Sequence, residues 1–159
     1  MHLTNVPLIL SSLCFLVPCF SAVDTGNTAS AVAWGALTVT STLLHATKQP
    51  FHLHGPGNCI PWLYTVDVAT LYVATLRACY DAWIGGSVGP VLACVTVSYA
   101  CLVFYGGQRT KRFAFDPRLD MSILSHATMH CIAAWGATAA IYIRAFKNGH
   151  LQSLEEAPQ

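Results

Sequence analysis

The chain has 159 residues, 54% of them apolar and only 9% charged, with a mean hydropathy of +0.50. Soluble domains carry about 25% charged residues, so this composition excludes an ordinary water-soluble globule, and its apolar content excludes disorder. A net charge of +1 gives no basic footprint for nucleic acid, and the class that remains is an all-α, polytopic transmembrane helical bundle.

Charge position argues the same way. No Asp, Glu, Lys or Arg occurs from Met1 to Val23, Thr25 to Thr47, Gln49 to Val66, Ala82 to Gln108 or Met121 to Ile143. Backbone groups in lipid must be satisfied internally, so only helices or a closed barrel can span. Barrel strands would alternate over about ten residues, whereas these runs are continuous and long enough for helices.

Five spans are predicted in chain order: Val6 to Ala22, Thr28 to Thr47, Ile60 to Trp83, Gly86 to Tyr105 and Leu119 to Ile143. The first run has two readings, a retained helix or a signal peptide cleaved after Phe20-Ser21-Ala22; its start lacks the Lys or Arg such peptides carry. Gly55-Pro56-Gly57, Gly85-Gly86 and Gly106-Gly107 punctuate the later spans. Residues 1–147 form the predicted bundle, and residues 148–159 a polar, frayed tail. On the face holding the amino terminus the loops carry Lys48, Arg109, Lys111, Arg112 and Arg118; the other face has Arg77, Arg144 and Lys147. That distribution favours a cytoplasmic amino terminus. Arg77 and Asp81, four apart on one turn, are expected to pair as an interfacial anchor.

Ionisable residues inside a membrane are costly and mark function. Here they are His45, Asp67, His126 and His130, with Ser41 and Ser125 nearby. Counting from the span ends, all four fall on the order of 5–15 Å below the same face. Ser41 and His45 are i,i+4, as are His126 and His130, so each pair shares a helix stripe. An i,i+4 His pair can chelate one metal ion, neutral imidazole suits zinc, and three His with one open position is a catalytic zinc arrangement. His45 is the natural third ligand. Asp67 would handle protons beside the ion, and Ser41 would hydrogen-bond the water or an oxyanion. Two other readings stay open: the imidazoles are hydrogen-bonded packing residues, or two of them ligate haem.

Ser-Thr-Leu-Leu-His (41–45), Tyr-Thr-Val-Asp-Val (64–68) and Ser-His-Ala-Thr-Met-His (125–130), in this order, resemble the CREST superfamily. That group includes alkaline ceramidases, adiponectin-receptor-like proteins, proteins that process GPI anchors, and a branch with myomaker and a GPI-directed phospholipase. The 22-residue step from His45 to Asp67 (67 − 45) looks more like that last branch. The resemblance implies zinc on His45, His126 and His130, assistance from Asp67 and Ser41, and hydrolysis of an amide or ester bond in a membrane lipid substrate. It also implies seven helices, so this five-span chain resembles a shortened member, with one span rather than three between the Asp67 and His126 helices. Its site would then be open to lipid, completed by a second copy in a homo-oligomer, or inactive. Other members suggest a non-enzymatic structural, fusion or receptor-like role.

The remaining candidates are weaker. His52, His54 and Cys59 cluster in a Gly/Pro loop and read as solvated. Seven Cys without a CxxC read as small apolar residues rather than a disulfide framework. Small residues, Ala31 to Ala36 and Ala133 to Ala140, would let the second and fifth helices approach closely.

Overall fold

A computed structural model describes residues 5–47 and 60–155. Lys48, His52, His54 and Cys59 lie outside the described residues, as do His2 and the last four positions. The described residues are all helical, with no strand, and form five rods. We number them α1 (Val6–Asp24), α2 (Thr28–Thr47), α3 (Pro61–Ile84), α4 (residues 88–110) and α5 (Leu119–Glu155). Two apolar stretches, Val6–Asp24 and Val88–Phe115, are long and apolar enough to cross a membrane.

Local chemistry explains the breaks. Pro18 lacks an N–H and its ring crowds the carbonyl four residues back, and α1 tightens into a 3₁₀ turn at Leu13–Phe15 just before it. Gly26, at φ 68°, ends α1. Its N–H donates to Val23 and that of Asn27 to Ala22, at 3.0 and 2.7 Å, a left-handed closure that glycine adopts without penalty. Asn27 Oδ1 then accepts the Ser30 N–H at 3.4 Å, capping α2. Pro61 opens α3 at its first turn. In α4, a π-helical stretch at Leu102–Gly106 precedes Gly107, and the Tyr105 hydroxyl meets that of Tyr72 on α3 at 2.8 Å. Before α5, Asp116 accepts both the backbone and the side chain of Arg118 at 2.9 and 3.0 Å. Those hydrogen bonds hold its carboxyl below the usual carboxylate range.

The last helix differs from expectation. It continues to Glu155 instead of stopping near Ile143, because no proline and only one glycine, Gly149, lie between Arg144 and Glu155. The first proline after it is Pro158.

α1, α2, α3 and α5 share a core of Phe15, Ala22, Ala33, Trp34, Leu37, Ala74, Ala134, Ala137 and Ile141. Cross-helix contacts run antiparallel: Ser12 meets Ser41, Thr40 meets Asp67, and Ser30 meets Asp81. α4 lies outside this core against α3 and α5. A Cβ on Gly89 would strike the Ala82 carbonyl, and one on Gly136 would strike Thr96, so small residues set both approaches. The outer faces are apolar: Leu76, Trp83 and Trp135 are 69%, 74% and 80% exposed, whereas Asp81 is 0%.

Candidate metal centre

The i,i+4 spacing of α5 places Ser122, His126, His130 and Ala134 on one buried stripe. Ser41 and His45 occupy the buried stripe of α2. The two stripes meet, and ligand nitrogens of His45, His126 and His130 all lie within 4.8 Å of one another. Their rings pack at 5.1 Å (His45–His126), 5.5 Å (His45–His130) and 4.7 Å (His126–His130). All three are buried. A buried three-imidazole group of this size could hold a metal ion, and zinc takes nitrogen ligands at about 2.0–2.1 Å.

α1 closes the group from a third side. Ser11 Oγ donates to the Leu8 carbonyl at 2.9 Å and lies 3.0 Å from His130 Nδ1. With Nδ1 of His130 engaged by Ser11, its Nε2 is the atom left as candidate ligand. Ser12 Oγ also donates to Leu8, at 2.9 Å, and meets Ser41 Oγ at 3.1 Å. This pair ties Ser41 to α1 beside the imidazoles. Phe15 packs on His130 with ring centroids 5.1 Å apart.

Asp67 is half-buried on α3 and accepts Thr40 Oγ1 at 3.1 Å; Thr40 in turn meets Thr70 at 2.8 Å. Thr40 sits about 100° around α2 from Ser41, facing α3 while Ser41 and His45 face α1 and α5. The structure thus brings the three imidazoles and Ser41 into one layer, and Asp67 is not among the three converging ligands. Ser11 and Ser12 were not expected; hydroxyls at matching depth on the first apolar run are the only sequence trace of them. Beside His130, Cys131 Sγ lies 3.4 Å from Cys14 Sγ, a contact between α5 and α1 that sequence spacing did not reveal.

A second polar centre sits at the other end. Asp81 pairs with Arg77 at 3.0 Å, as its spacing predicts. It also receives Arg144, Ser30 and, at 3.1 Å, Asn27. Arg77 Nε donates to Ser30 at 2.9 Å and Nη2 to Asn27 Oδ1 at 2.9 Å. Three helices, α2, α3 and α5, are joined through this one carboxylate. No protein-family model, no curated protein and no solved structure matches the chain.

Proposed function

We propose that this chain is a multi-pass membrane bundle whose three buried imidazoles bind zinc and serve hydrolysis of an amide or ester bond in a membrane lipid. The observation that carries the reading is the convergence of His45, His126 and His130 within 4.8 Å inside a bundle with apolar outer faces on all five helices. The order of the Ser41-His45, Asp67 and His126-His130 motifs, similar to that of the CREST superfamily, supplies the substrate class.

The residues divide the work. The three imidazoles hold the ion, and a zinc ion there supplies a Lewis acid and an acidified water. Ser11 fixes the His130 tautomer, the task outer hydrogen bonds perform for metal-bound histidines. Ser12 and Ser41 tie α1 to α2 beside the ligands. Asp67, held by Thr40, is the nearest carboxylate in the motif set and the candidate proton carrier.

A second reading, a metal-stabilised bundle without turnover, is favoured by the burial of the imidazoles. Haem is not carried forward, because rings packed edge to face leave no room for a macrocycle between them.

Zinc analysis of detergent-purified protein tests the site: about one ion per chain is expected, and none in a triple His45, His126 and His130 alanine variant. His126→Ala should abolish lipid turnover while the chain still inserts. Turnover unchanged in that variant would sink the hydrolase reading. Zinc without turnover in the wild type would select the structural one.

A further inference from the structure

The cluster around Asp81 is unbalanced. One fully buried carboxylate faces two guanidiniums, Arg77 and Arg144, which are 22% and 24% exposed. Lys147 stands one turn beyond Arg144 on α5 and donates to the Ile84 carbonyl at 2.9 Å, adding a third cation. Asp24 at this end is exposed and makes no ion pair among the described residues, and Glu155 stands eleven residues past Arg144 on α5 (155 − 144). Within the cluster itself two guanidiniums and the neighbouring ammonium face a single carboxylate, and cations in an apolar surrounding recruit a counter-charge.

Directly beside them, Gly85, Tyr142, Ile143, Phe146 and Lys147 line a shallow, almost wholly apolar groove on the outer surface. Gly85 makes the floor: a Cβ there would strike Ile143. Lys147 has further ammonium hydrogens beyond the one spent on Ile84, and Arg144 uses only Nη1 on Asp81. Donors at a rim and an apolar trough below them match a molecule with an anionic head and a hydrocarbon tail.

We propose that this end of the bundle binds a phospholipid of net negative charge, its phosphate on Lys147 and Arg144 and an acyl chain in the Gly85–Phe146 groove. The site is separate from the imidazole centre, since His130 and Arg144 lie fourteen residues apart on α5 (144 − 130), roughly 21 Å along the helix. It rests on the membrane reading but not on zinc or catalysis.

The test uses the full chain in nanodiscs of phosphatidylcholine with and without phosphatidylglycerol, followed by partial delipidation and native mass spectrometry. Phosphatidylglycerol should be retained over phosphatidylcholine. Lys147→Gln should cut that preference about fivefold, the weight of one interfacial cation, and Arg144→Lys, which keeps a charge for Asp81, should lower it less. Equal retention of the two lipids, or a preference unmoved by Lys147→Gln, overturns the proposal. Inorganic phosphate stabilising the detergent-solubilised protein as well as phosphatidylglycerol does would also overturn it, as a plain anion site. A chain that stays soluble without detergent overturns the membrane reading together with this one.

Discussion

At the scale of single residues, Ser11 is the side chain whose removal says most about the imidazole centre. Its hydroxyl lies 2.9 Å from the Leu8 carbonyl and 3.0 Å from His130 Nδ1, tying that ring nitrogen to α1. Ser11→Ala should weaken zinc binding about 10–100-fold, the usual effect of losing such a support, with insertion unchanged. Competition with a chromophoric chelator measures it, and equal affinity in both proteins would show that Ser11 does not orient a ligand. The converging side chains themselves were legible: Ser41 and His45, like His126 and His130, announce a shared stripe by their spacing. Ser11 was not, because a serine within an apolar run carries no periodic signature and its partner is 119 residues away. Asp67 shows the opposite limit. Counting residues gave its depth, but which way it points depends on how α3 is rotated, and that rotation is decided by packing against Thr40 and Thr70.

At the scale of elements, the five helices were readable because their ends coincide with Gly, Pro or charge. Gly26 stops α1, Pro61 starts α3, and Gly85-Gly86 separate α3 from α4. The continuation of α5 to Glu155 is not legible from hydropathy, because a polar stretch can stay helical beyond the apolar run that precedes it. The Arg77–Asp81 pair was visible as i,i+4, but Arg144, Ser30 and Asn27 reach Asp81 only through the assembly of three helices. That convergence predicts a large effect. Asp81→Asn leaves two guanidiniums facing a neutral amide and should cost about 3–5 kcal/mol. Asp67→Asn, which keeps an acceptor for Thr40, should cost about 1 kcal/mol. Unfolding in mixed micelles compares the two, and similar losses would deny Asp81 its role as the joint between α2, α3 and α5.

At the scale of the whole molecule, several polar side chains are buried while large aromatic ones stand outside, a distribution unlike that of a protein dissolved in water. Ser12, Ser30, His45 and Asp81 are buried while Trp83, Trp135 and Phe146 are exposed. The two polar centres lie fifteen residues apart on α2 (45 − 30), roughly 22 Å, a separation shorter than the thickness of a hydrocarbon layer, about 30 Å. A variant keeping Trp135 as its sole tryptophan should be strongly quenched by brominated lipid, and one keeping only Trp34, 3% exposed, should be quenched little. Equal quenching would mean that the exposed faces do not meet hydrocarbon. The apolar character of the helices was legible from composition, but which face of each rod turns outward was not, because all five are apolar nearly all the way round.

The Leu8 carbonyl oxygen receives both Ser11 and Ser12, and through them it indexes His130 on α5 and Ser41 on α2. Sliding α1 by one residue, about 1.5 Å, pulls both serines out of alignment at once. Trimming or displacing the amino-terminal rod would therefore disarm the imidazole trio without touching any of its rings, which makes that rod the molecule's safety catch.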